Sequence, residues 1–555
     1  MTKVLTVAVS ALALVALAAP VSAQHQHHPG MQMPAPAKKK PAAKKKPVVK
    51  KKAGAKKPTA KKSAAKKPAA MKKQVTAKPK TKPSATQDPH AGHAMPAEQA
   101  PTTAPAPQPH EHGAMPLPAP DTPPATPPMD HSQMGHAPGP PQVDHAQMGH
   151  GAMPSGEHAG HDATTGAFGP YPMARESSGT AWQPDTSEHS GLHVMSGDWT
   201  LMAHGVLNLV YDHQSGPRGD DKAFASGMLM GMARRPIGNG TLQFRAMLSP
   251  DPLMGKRGYP VLLASGETAN GRDRLIDRQH PHDFFMELSG SVSQNVGAKS
   301  SLFLYGGLPG EPAFGPPAFM HREAIMDSPE APITHHWLDS THISFGVLTA
   351  GVVVDRVKLE LSRFNGREPD QHRWNIETGP LDSTAVRASW NPTAELSLQG
   401  SWGHFEEPEQ LEPGVDQKRW SASALYAREV ASGWKFAATL AWGRKSIKDH
   451  HGEWLKDDAF AAEASLKHRG WTVFGRGEIT ENRELLELED GEEHGPAFRV
   501  GKVSLGAVKD FRLAEHFSFG LGGLFAVNFI PDGLKPLYGG SNPTGVMGFI
   551  RVKLD

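Results

Sequence analysis

The chain of 555 residues contains no cysteine, which removes disulfides and thiolate metal sites, so any soft-metal chemistry must use methionine and histidine. Past the N-terminus it has no run of 18 or more apolar residues, and a helical membrane span is therefore excluded. Between Lys38 and Lys82 there are 20 lysines and no acid. With an overall formal charge of +3, that stretch and Lys3 leave residues 88–555 at −18. The 51 prolines and 57 glycines imply that much of the chain is not globular core.

What is present divides into regions of different physics. Residues 1–23, MTKVLTVAVSALALVALAAPVSA, combine a single early lysine, a short apolar stretch and a small-residue ending. This reads as a removable secretory signal, with the mature chain starting at Gln24; the apolar stretch is short for an uncleaved anchor. Residues 24–84 repeat Lys, Ala and Pro blocks, in which like-charge repulsion and proline prevent packing and favour an extended, disordered coil. Such a tract serves either as a solvated spacer or as a tether that contacts polyanions by counterion release. In an exported chain those polyanions are lipopolysaccharide phosphates or acidic cell-wall polymers; nucleic acid would require the export signal to be misread.

Residues 85–165 change to Pro, His, Met and Gly without helical or strand periodicity, and disorder is expected there in the absence of metal. MDHSQMGH at 129–136 and VDHAQMGH at 143–150 repeat the order Asp-His, two residues, Met-Gly-His. Reduced copper favours thioether and imidazole, oxidised copper imidazole, and each repeat offers both ligand types within eight residues. The expected metal ligands are His90, His93, Met95, His110, His112, Met115, Met129, His131, Met134, His136, His145, Met148, His150, Met153, His158 and His161. Together they suit an array of several modest copper sites in which binding supplies the ordering free energy. Imidazole alone would also admit zinc or nickel, and the paired methionines tilt the reading to copper.

These repeats, and the order of parts around them, resemble the Met/His-rich N-terminal segment of the copper resistance protein B family. Its members are exported outer-membrane proteins whose C-terminal part is a β-barrel. The resemblance implies copper binding by the repeat ligands and copper resistance at the outer membrane. The lysine-rich tract is not part of that family's pattern.

After a linker at 166–195, residues 196–555 show segments of about ten residues alternating apolar and polar. Trp434, Phe436, Ala438, Leu440 and Trp442 share one face, as do Phe519, Leu521, Gly523, Phe525, Val527 and Phe529, and in the last segment Val546, Gly548, Ile550, Val552 and Leu554. Seven short turns, at 235–240, 295–299, 354–356, 391–393, 430–433, 468–470 and 511–514, alternate with eight longer links near 213–222, 249–282, 307–340, 365–380, 405–416, 446–456, 481–496 and 529–543. This pattern predicts an all-β protein, a transmembrane antiparallel barrel of about sixteen strands in the outer membrane of a Gram-negative bacterium. Both chain ends then fall on the short-turn side, which puts the N-terminal extension in the periplasm. A soluble sandwich, or a barrel of fourteen or eighteen strands, is the alternative.

Two of the long links are rich in ligands. DRQHPHDFF supplies His280, His282 and Asp283, and the link that follows supplies His321, Glu323, Asp327, His335, His336, Asp339 and His342. Three roles are open to them: a divalent metal site, a loop-packing network, or a polar constriction for a solute. No nucleophile elbow or other catalytic motif occurs, so no enzymatic activity is expected. The leading expectation is an outer-membrane barrel with a copper-collecting extension that contributes to copper resistance, with periplasmic copper-handling proteins as partners beside the membrane lipid. A passive solute channel with a polycationic tether and a structural anchor or adhesin are the competing readings.

Overall fold

A computed structural model describes residues 165–188, 191–448, 452–487 and 494–554. The signal sequence, the lysine-rich tract and the sixteen Met and His ligands of the N-terminal segment lie outside the described residues. The strands are β1 (Leu192–Ser196), β2 (Trp199–Gln214), β3 (Asp221–Ile237), β4 (Gly240–Leu248), β5 (Tyr259–Thr268), β6 (Arg274–Gln279), β7 (Phe285–Gly297), β8 (Ser300–Gly307), β9 (Val347–Val354) and β10 (Val357–Phe364). They continue as β11 (Ser383–Trp390), β12 (Leu396–Phe405), β13 (Gln417–Ala431), β14 (Trp434–Lys448), β15 (Trp454–His468), β16 (Trp471–Asn482), β17 (Phe498–Ala514), β18 (Phe517–Phe529) and β19 (Thr544–Leu554).

Sixteen of these, β2 to β4 and β7 to β19, form one antiparallel sheet that closes on itself, because β19 pairs with β2 from Gly545 opposite Gln214 to Leu554 opposite Gly205. Strand β1 pairs with the start of β2 and prolongs that seam past Leu554. The remaining two strands form a separate hairpin inside the second long loop. Closure satisfies the backbone groups of the sixteen barrel strands without an edge, the condition for crossing a lipid bilayer with strands.

The alternation read from sequence sets the two faces. Leu440, Leu521, Phe525, Val546 and Ile550 are exposed on the outer surface. Exposed aromatics stand near the short-turn strand ends (Trp390, Trp471, Phe517) and near the long-loop ends (Trp420, Trp454, Phe529), as girdles at two membrane interfaces do. One turn differs from expectation: residues 511–514 belong to β17, and the reversal falls at 515–516. Phe511 and Leu513 keep the outward apolar alternation, so pairing with β18 continues to Ala514 opposite Phe517.

The inside is packed. Inward-facing side chains on all sixteen strands are buried, among them Asp212, Lys358, Arg387, Arg419, Arg476, Lys502 and Arg551. Besides the β5–β6 hairpin, whose Val261, Leu262 and Leu263 pack with Phe474, Val508, Leu524 and Phe549 of the wall, two segments fill the lumen. The first, residues 165–188, was expected as part of a linker, yet it packs against the barrel wall. Phe168, Tyr171 and Trp182 join Phe303, Tyr305, Phe364 and Phe405 of the wall in one apolar cluster. Arg234 donates to the Thr165 carbonyl (2.7 Å), Arg245 to the Gly179 carbonyl (2.5 Å), and Lys358 to the Thr180 carbonyl. This segment carries no regular periodicity, so only its partners on the wall reveal that it is folded.

The second is the long loop 308–346. Arg322, fully buried, makes a two-pronged ion pair with Glu463 of β15 (2.7 and 2.8 Å) and also pairs with Asp339. Glu330 meets Arg476 and Lys502, and Asp327 meets Arg551 at 2.8 Å. Gly443 lets the loop approach the wall: a Cβ there would lie 2.4 Å from the Trp337 carbonyl oxygen.

Removing the cation of such a set leaves buried anions unpaired. Arg322→Met, which keeps the side-chain volume, is expected to lower the stability of the detergent-solubilised barrel by about 3–5 kcal/mol. Urea unfolding followed by intrinsic tryptophan fluorescence measures it; a midpoint equal to wild type would mean that the loop is not anchored there.

Candidate metal centre

The His-Pro-His stretch after β6 and the short helix His335–Leu338 of loop 308–346 meet in the long-loop half of the lumen. Five imidazoles form a continuous array. Ring centroids lie 5.1 Å apart for His282 and His342, 5.2 Å for His335 and His342, 5.7 Å for His335 and His336, 5.8 Å for His280 and His336, and 6.1 Å for His280 and His335. Gly266, at φ +110°, takes a backbone conformation that suits glycine, and a Cβ there would meet the His336 ring at 2.7 Å.

Each ring is held by an oxygen. His282 Nδ1 donates to Asp251 (2.9 Å), His335 Nδ1 to the Asp339 carboxylate (2.8 Å), and His342 Nδ1 to the Asp339 carbonyl (2.7 Å). His336 Nδ1 donates to Glu368 (3.3 Å), and His280 Nε2 lies 3.0 Å from Glu267. In all but His280, pinning Nδ1 fixes the tautomer and leaves Nε2 as the free lone pair, which is the arrangement that orients metal-ligating histidines. Nε2 of His282 and of His342 are both buried and have no hydrogen-bond partner. Burial holds the His335 and His342 imidazoles below the usual range, hence neutral, and the Arg322 guanidinium overrides burial to keep Asp339 ionised.

The residues expected from sequence thus separate. His280, His282, His335, His336, His342 and Asp339 come together; Asp283 is beside them, ion-paired to Arg373 at 3.1 Å. Among the described residues no group of three or more His, Asp or Glu is arranged to hold a metal ion. The open ligands are therefore a pair, His282 and His342, inside a loop-packing network that occupies the others.

His321 and Glu323 lie elsewhere, at a cavity of about 90 Å³ lined also by residues of β2 and β3 and of segment 165–188. Sequence reading missed His204, Met202, Met230 and Met232 on its wall. All four have the inward parity of their strands, and aligning β2 with β3 would have found them.

His336 offers a pH test of the network. Burial alone would lower its pKa, but the Glu368 carboxylate overrides this and raises it above 6.5. The stabilisation is complete below the unfolded value of about 6.5 and is lost as pH rises through the higher folded value. Thermal unfolding of the whole protein should therefore fall over that interval by more in wild type than in His336→Gln; identical pH profiles would remove His336 as a contributor.

No family model matches the chain, and no curated protein matches it. Solved structures similar to it include a Salmonella typhi OmpF complex with daunomycin (11% identity, TM-score 0.41, 65% of this chain and 100% of that one). Others are an anion-selective porin from Comamonas acidovorans (14%, 0.37, 64% and 99%) and OmpT of Vibrio cholerae (8%, 0.38, 65% and 100%).

Proposed function

We propose that this is a non-catalytic outer-membrane barrel that handles copper, with the His/Met-rich segment 85–165 collecting the metal and the barrel receiving or holding it. The observation that carries the reading is the His282–His342 pair: two imidazoles with Nδ1 pinned and Nε2 buried without a partner. With Nδ1 engaged, each ring keeps Nε2 as its free lone pair, and the two ring centroids stand 5.1 Å apart. Neutral imidazole nitrogen suits both oxidation states of copper, and a cysteine-free chain with thioethers alongside suits the reduced one.

Copper resistance follows if the segment sequesters the ion or passes it on to periplasmic copper-handling proteins. The lysine-rich tract, at 20 lysines without an acid, would hold the extension against lipopolysaccharide or cell-wall polyanions. A passive solute channel is the second reading. The barrel wall favours it, as sixteen strands enclose enough width for water; the packed lumen weighs against it.

Growth under copper stress tests the first reading with two alleles, deletion of 86–165 and the double variant His282→Ala/His342→Ala. Both should arrest at lower copper than wild type while the barrel is present at equal amount in the outer membrane. Tolerance equal to wild type in both alleles would contradict the proposal and leave the channel.

A further inference from the structure

We propose a second metal site, for a soft monovalent cation, at the short-turn half of the lumen, built by His204, His321, Met202, Met230 and Met232. The β2–β3 register sets His204 opposite Met230 and Met202 opposite Met232. All four positions are even-numbered on strands whose even positions face inward, so four ligand side chains occupy one patch. His204 Nε2 lies 3.1 Å from the Met230 sulfur. From the opposite side, loop 308–346 brings the His321 ring to 6.3 Å from that of His204, with Nε2 buried and unpartnered. These groups line the cavity of about 90 Å³ described above, large enough for an ion.

The chemistry selects the cation. Thioether sulfur and neutral imidazole are soft or borderline ligands, and the set suits Cu(I) or Ag(I) over Ca(II) or Mg(II), which demand oxygen. Three carboxylates line the same cavity, Glu176, Glu188 and Glu323; Glu176 accepts from Tyr171 and Glu188 from Lys435 and Lys467, and the cavity's Arg245 is paired with Glu287 at 2.7 Å. Methionine is also a common gap filler in cores. Gap filling does not account for two imidazoles among the thioethers, one of them with an open nitrogen.

The site also connects upward. Met230 packs in one cluster with Met228, Met247 and Met286, against which Met320 lies. Met320 follows Phe319, whose ring stacks 6.3 Å from His282. A cluster of thioethers thus runs from the lower site as far as Met320, the chain neighbour of the Phe319 that packs on His282. That the ion is copper in the cell rests on the function proposed above; that the site binds a soft cation does not.

The test uses the full chain in detergent, labelled with ¹³C-methyl methionine and titrated with Ag(I), with resonances assigned by single Met→Leu variants. Saturable shifts of Met230 and Met232 are expected, weakened at least tenfold in His321→Gln and unchanged in His282→Ala/His342→Ala. Met→Leu keeps the packing, so a variant that folds but loses the response at its neighbours also supports the site. Shifts confined to methionines of the N-terminal segment, such as Met134 and Met148, would overturn the site and leave the proposed function standing. Absence of any methionine shift would overturn both.

Discussion

A barrel of sixteen strands encloses more space than its own inward side chains can fill, and the rest of this structure follows from how that space is occupied. Closure in lipid settles the outside: apolar residues at alternate positions, aromatics at two levels, no free sheet edge. The inside must then hold many charged side chains away from bulk water, and an unpaired buried charge costs several kcal/mol. Loop 308–346 meets this demand with counter-charges placed at the wall: Arg322 against Glu463, Glu330 against Arg476, Asp327 against Arg551. Segment 165–188 meets it on the other side, by offering backbone carbonyls to Arg234, Arg245 and Lys358.

The same packing creates places where metal ligands stand in dry surroundings with no competing partner. His282 and His342 occupy one and His321 another, each with an open Nε2. Around the first pair the carboxylates are engaged, Asp251 and Asp339 with the rings and Asp283 with Arg373; beside His321 stand the thioethers of Met202, Met230 and Met232. A dry, sulfur-rich interior disfavours hydrated hard ions and favours soft ones. Methionine and histidine stand together twice in the chain, in the composition at 85–165 and at facing positions of β2 and β3.

The barrel was legible in the sequence because its signals are local. Alternation in Trp434 to Trp442 and Phe519 to Phe529, and turn residues at near-constant spacing, need no knowledge of what lies across the lumen. The turn after β17 was misplaced because Arg512 and Ala514 look like loop while Phe511 and Leu513 still face lipid. What could not be read was everything decided by contact at long range. Phe168, Tyr171 and Trp182 carry no period, so their segment looked like a linker. His280 to His342 could be read as a cluster, yet which nitrogens stay open also depends on Asp251 and Glu368, 31 and 32 residues away from the rings they hold. The Met202, His204, Met230 and Met232 patch exists only through the register of two strands.

The central claim is that the lumen is filled by packed side chains and loops and is not an open water-filled pore. Planar-bilayer recording of the full-length protein tests it directly, in potassium chloride without added metal. The packed interior predicts no stable conducting steps of the size a sixteen-stranded open pore gives. Sustained steps of that size, present from the moment of insertion, would contradict it.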